Sequence, residues 1–164
     1  SPHHTVVLFT KLKMAESTDL KAHIQTGLDT LRQRSPIYGT ILPTLQIHTV
    51  TPGVVTSTLV IDDIHINSKG SLHGAVSATI VDLTTGLAIS SHDLREITTT
   101  GASVDMHLSY LGTAKKGETV TVVSTAEKVG GSIAFVTVRI TVGERMVTLA
   151  QHTKYVRQRQ TQAQ

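Results

Sequence analysis

The chain has 164 residues, which suits one domain able to bury about 70 % of its unfolded surface without staples. Charged residues are only 16 % and cysteine is absent, which excludes a disordered polyelectrolyte, a disulfide scaffold, a zinc ribbon and thiol chemistry. Lys+Arg 15 against Asp+Glu 12 leaves +3, but the cations are scattered and the aromatics are 3 Tyr and 2 Phe without Trp, so no nucleic-acid partner is expected.

In chain order, residues 17–33 come first. Their apolar positions Leu20, Ile24, Leu28 and Leu31 are spaced four, four and three, one face of an amphipathic helix beginning at a Ser17 or Thr18 cap. Ser35-Pro36 breaks it. Residues 1–40 are therefore read as an N-terminal segment, 41–156 as the main domain, and 157–164 as a polar, disordered tail. Met14-Ala15-Glu16 reads as a start of translation. The compartment is expected to be intracellular, cytoplasmic or mitochondrial, with a removed transit peptide left open.

Residues 45–61 form a hairpin, two β-branched segments around Thr51-Pro52-Gly53. A polar loop over 62–70 leads to residues 72–91, apolar nearly all round and so expected as a helix buried nearly all round. Asp82, His73 and several Thr interrupt it, so no membrane span is expected. Four strands follow at 102–110, 119–127, 133–142 and 146–156, the middle two joined at Lys128-Val129-Gly130-Gly131. In the first, Val104, Met106, Leu108 and Tyr110 alternate with Ser103, Asp105, His107 and Ser109, a period of two. The fold class is α+β: a long buried helix wrapped by a curved, mostly antiparallel sheet, the last strands a meander. One sheet of about five or six strands covers only one side of such a helix, so a second subunit should cover the rest.

Asp82 carries the chemistry. Between Gly70 and His92 there is no other carboxylate and no Lys or Arg. Burying such a group unpaired is costly, so it is paired from a distance, faces a cleft or does proton chemistry. A distant partner is expected to be a backbone amide or a hydroxyl such as Ser103. Upstream, the helix begins near Gly74, where free N–H groups favour a developing negative charge. The Gly74 amide and the Asn67 carboxamide would suit an oxyanion hole, or else are turn and loop residues. His73 is placed to orient a neighbour or bond a carbonyl. None of the 9 His has a metal-ligand spacing, so no metal site is expected.

The run Asn67-x-x-Gly70-x-Leu72-His73-Gly74, with Asp82 eight residues on, resembles the hotdog-fold acyl-CoA thioesterases of the phenylacetate-degradation type. The likeness continues through Gly101 to Met106, Ala114-Lys115-x-Gly117-Glu118, Ala134-Phe135 and Ala150 to Lys154. It implies a hotdog fold, a homodimer or homotetramer with active sites at the subunit interface, and hydrolysis of medium- to long-chain acyl-CoA without a cofactor. By position, Asp82 would be the general base or nucleophile, Gly74 would polarise the carbonyl, and Asn67 would hold water or substrate. Ser103 would place the water, with His73 beside them. CoA contacts would fall on Tyr110, Leu111, Gly112, Thr113, Ala114 and Lys115, on Lys128, Val129, Gly130, Gly131, Ser132 and Ile133, and on Tyr155. The basicity of Lys115, Lys116, Lys128 and Lys154 would suit the CoA phosphates. Ala75 departs from the many relatives that carry a second Gly there. The alternatives are a hotdog enoyl-CoA hydratase or dehydratase, pairing His73 with Asp82, and a non-catalytic acyl-CoA-binding module.

Overall fold

A computed structural model describes residues 2–157; the rest of the expected tail lies outside the described residues. The first helix, α1 (Pro2–Arg34), passes straight through the cap expected at Ser17 or Thr18 and begins well upstream of it. The apolar stripe holds: Ile24 and Leu28 are fully buried, with Leu20 and Leu31 packed at the edge of the same core. Ser35, placed before proline, leaves the helical conformation, and a one-and-a-half-turn helix, α2 (Pro36–Ile41), restarts on that proline.

The corner between these helices is held tightly. Arg32 donates from Nε to the Leu42 carbonyl at 3.1 Å and from Nη2 to the Leu45 carbonyl. Gly39 packs on the Arg32 carbonyl so closely that a Cβ would come within 2.6 Å of the oxygen. Leu42 and Leu45, just beyond, are buried.

Next comes the hairpin, β1 (Gln46–Thr51) and β2 (Val54–Val60), turning at Pro52-Gly53 with Gly53 at φ +81°. A 3₁₀ turn at Asp63–His65 punctuates the polar loop. The long helix α3 (Gly74–Asp93) follows, then β3 (Ala102–Tyr110), β4 (Thr119–Val129), β5 (Ile133–Val142) and β6 (Arg145–Tyr155). By length and composition α3 would also cross a bilayer, but 72 % of its apolar window is buried inside the fold, as a core helix requires.

The six strands form one antiparallel sheet in the order β1-β2-β4-β5-β6-β3. The expected meander is therefore incomplete: β3 crosses over to pair with β6 at the sheet's edge instead of lying beside β4. Its period of two is real, yet neither face is buried within the chain, and Val104 is 58 % and Met106 37 % exposed. An apolar, alternating edge strand of nine residues is a template for pairing with another chain.

Candidate active site

Asp82 lies on α3, half-buried, among neighbours that are almost all buried. Its distant partner is a hydroxyl, but not that of Ser103. Tyr38, brought in by α2, donates to Asp82 Oδ2 at 2.5 Å. Burial, reinforced by the hydrogen bond and charge of Asp82, pushes the Tyr38 phenol far above its ordinary ionisation range, so it remains a donor.

The start of α3 is built separately. The His73 ring accepts the Ala75 N–H at Nδ1, 3.0 Å away, and so caps the helix. Among the described residues nothing accepts the Gly74 N–H. The Tyr110 ring covers Gly74: its hydroxyl donates to the Gly74 carbonyl at 3.3 Å, and a Cβ there would lie 3.2 Å from the ring. Asn67 closes the preceding loop, its Oδ1 accepting from the N–H groups of Lys69 (2.9 Å) and Ser71 (3.2 Å). With Oδ1 occupied, the Asn67 amide group is left as a donor.

His65, which the sequence reading passed over, locks these parts together. Its Nδ1 accepts the Asp62 N–H at 2.9 Å, so Nε2 carries the proton and donates to the Ile41 carbonyl at 2.7 Å. Its own carbonyl accepts the His73 N–H at 2.8 Å. One buried residue thus ties the end of α2, which carries Tyr38, through its ring, to the start of α3, through its backbone carbonyl.

Eight residues at 1.5 Å each put Gly74 about 12 Å from Asp82 along the axis of α3. An N–H donor and a carboxylate so far apart cannot meet one carbonyl group within a single chain.

Sequence comparison gives the same arrangement a family. A profile of the thioesterase superfamily matches residues 69–157. The chain belongs to the thioesterase superfamily. The enzyme is 30 % identical over 118 residues to human acyl-coenzyme A thioesterase 13, a match covering 71 % of this chain and 82 % of that protein. Zebrafish thioesterase superfamily member 2 superposes with a TM-score of 0.70 at 29 % identity, over 77 % of this chain and 94 % of that one. Mouse thioesterase superfamily member 2 gives 0.69 at 25 % identity, over 79 % and 95 %. The helix wrapped by an antiparallel sheet is the hotdog fold of this family.

In this thioesterase Ser103 bonds to His152, not to Asp82. His152 Nε2 lies 2.9 Å from Ser103 Oγ, and Nδ1 lies 3.1 Å from Thr85 Oγ1. Thr85 gives its own proton to the Val81 carbonyl at 2.7 Å, so Nδ1 must be the donor and Nε2 the acceptor of the Ser103 hydroxyl proton. Burial, then the charge of Lys154, lowers the His152 pKa and keeps the ring neutral. Ser103 is left exposed with its oxygen free to accept from a water.

The cations of the thioesterase divide. Lys154 is buried, 7 % exposed, its pKa lowered by burial and partly restored by the charge of Asp82, so it cannot serve as a surface cation. Lys116 is paired to Asp63 at 2.6 Å. Lys115 and Lys128 remain exposed. Strand periodicity could have found His152 and Lys154, since Thr148, Ala150, His152, Lys154 and Val156 share one buried face.

The residues expected to touch CoA fall into two groups. Tyr110, Leu111, Gly112, Thr113, Ala114 and Lys115 follow the end of β3, where Leu111 and Gly112 both donate to the Val147 carbonyl. Ala114 is fully buried and its carbonyl accepts the Leu72 N–H at 2.7 Å, so its side chain packs inward. Lys128, Val129, Gly130, Gly131, Ser132 and Ile133 make the β4–β5 turn. Ile133 pairs with Tyr155, which in turn pairs with Ala102 at the start of β3. Eight residues of β3 separate the two groups, about 26 Å.

Proposed function

We propose that this thioesterase hydrolyses medium- to long-chain acyl-CoA to a fatty acid and CoA, in sites shared between two protomers. The supporting observation is the separation of the parts. Gly74 and Asn67 stand at the Tyr110 end of β3, whereas Asp82, Ser103 and the β4–β5 turn stand at its other end. Antiparallel pairing of the exposed β3 edge with the same strand of a second copy reverses one chain against the other. The Tyr110 end of each protomer then meets the Ser103 end of its partner, and both groups of CoA-facing residues converge.

In that assembly the Gly74 N–H and the Asn67 amide of one protomer stabilise the thioester oxygen as it gains charge. Asp82 of the other removes a proton from water held by Ser103, and the water oxygen bonds to the carbonyl carbon. Collapse of the intermediate breaks the carbon–sulfur bond, and the proton taken by Asp82 passes to the departing thiolate. Oxygen and protons balance with water alone, so the reaction is written without a cofactor. Lys115 and Lys128 are the exposed cations that would meet the CoA phosphates.

The hydratase alternative requires His73 as a partner of Asp82. Its Nδ1 is already engaged as the cap of α3, accepting the Ala75 N–H, and this favours hydrolysis.

The test is release of free thiol from acyl-CoAs of graded chain length. Wild type is expected to turn over medium and long chains, and Asp82→Asn to lose at least about 10²-fold in kcat while remaining folded. Full activity in Asp82→Asn would remove the proposed base. Tight acyl-CoA binding by wild type with no thiol released would favour the binding module.

A further inference from the structure

Asp82 is met by a side chain that begins 44 residues upstream, outside the matched segment 69–157. Tyr38 packs against the core and places its hydroxyl on Oδ2. Among the described residues no other hydrogen bond reaches this carboxylate. The helix carrying Tyr38 is fixed at two points: Gly39, in its middle, is seated on the Arg32 carbonyl, and the carbonyl of Ile41, its last residue, is held by His65. Arg32 anchors the chain just beyond. Such bracing is what a group needs if it is to hold a reacting atom in place.

We infer that Tyr38 is a positioning residue for hydrolysis, pinning Asp82 Oδ2 so that Oδ1 is the atom that takes the proton from water. The inference rests on Asp82 being the base. A phenol donor fixes the rotamer of the carboxylate and itself stays protonated, so it takes no part in the proton transfer. The N-terminal segment then belongs to the catalytic apparatus, since α1 and α2 exist as a rigid corner that delivers one hydroxyl to the core helix.

The experiment compares wild type, Tyr38→Phe, Asp82→Asn and the double variant by thiol release from a medium-chain acyl-CoA over a range of substrate concentrations. Phenylalanine keeps the ring and its packing, and circular dichroism checks the fold. Tyr38→Phe is expected to lose about 10- to 10²-fold in kcat with KM nearly unchanged. The double variant should be no slower than Asp82→Asn, since Tyr38 acts only through that carboxylate. A Tyr38→Phe enzyme with wild-type kcat, or one whose loss lies in KM instead of kcat, beside an inactive Asp82→Asn, overturns the role of Tyr38 alone. An active Asp82→Asn overturns the base and the positioning role together.

Discussion

The Tyr110 hydroxyl donates to the Gly74 carbonyl, and this bond fastens the far end of β3 to the first residue of α3. At the other end of the strand, Ser103 is fastened through His152 and Thr85 to the same helix, one turn beyond Asp82. Gly74 and Asp82 are therefore held at opposite ends of one strand. Within a single chain they stay apart, and the proposed two-fold pairing of β3 would bring one protomer's Gly74 to its partner's Asp82.

If that pairing is what completes the site, a charge on the edge should abolish both assembly and turnover. Val104→Glu, at a position 58 % exposed in the single chain, is expected to sediment as a folded monomer and release no thiol. An oligomeric, active Val104→Glu would show that the chains meet elsewhere.

The corner between α1 and α2 makes a second prediction. In Gly39→Ala the new methyl would sit 2.6 Å from the Arg32 carbonyl oxygen, a backbone atom that cannot swing aside. A shift of α2 should cost about 1–3 kcal/mol in denaturant unfolding. It should also lower kcat by moving Tyr38 from Asp82. Unchanged stability would mean that the corner yields more readily than its contacts imply.

A third prediction concerns acid. His152 is held below its ordinary value of 6.5, first by burial and then by Lys154. The unfolded chain regains the ordinary value and binds the proton that the folded chain refuses. Stability is therefore complete above about pH 6.5 and falls as pH is lowered below it. Denaturant midpoints at pH 7.5 and 5.5 should show this drop, and a smaller one in His152→Gln. An equal drop in both would place the acid sensitivity elsewhere.

Much of this architecture can be read before folding, and the parts that cannot have a common cause. The late strands follow from β-branched, alternating segments and the buried helix from a run apolar nearly all round, which are local properties, and their boundaries agree within a few residues. Asn67, Gly74 and Asp82 stand out because each breaks a local pattern of loop, helix start or apolar face. Pairing order is not local: the alternation in β3 gives a half-apolar strand but not its place beside β6. Tyr38 was missed for the same reason, since its bond to Asp82 spans 44 positions. The available signal was weak, a lone tyrosine among the first 100 residues, next to Gly39 and just past the Ser35-Pro36 break. Lys154 misled in the opposite direction, because a lysine near a polar tail reads as solvated until the sheet buries it.

Subunit mixing tests the shared site most directly. Asp82→Asn and Asn67→Ala are placed together on one chain, which is inactive alone, and Tyr110 is left intact so that assembly is preserved. This chain is unfolded and refolded at equal amounts with a wild-type chain, and the mixed dimer is isolated by an affinity tag on the double variant. If each site draws from both chains, one of its two sites has an intact Asp82 facing an impaired Asn67 and the other an impaired Asp82 facing an intact Asn67, so neither is whole; if each site lies within one chain, one site is intact. The two singly substituted chains give the decisive pair: Asp82→Asn mixed with Asn67→Ala regenerates one intact site in every mixed dimer. About a quarter of wild-type turnover should return from two nearly inactive preparations. No recovery, with mixed dimers demonstrably formed, would put Asp82 and Asn67 in the same chain's site and contradict the account.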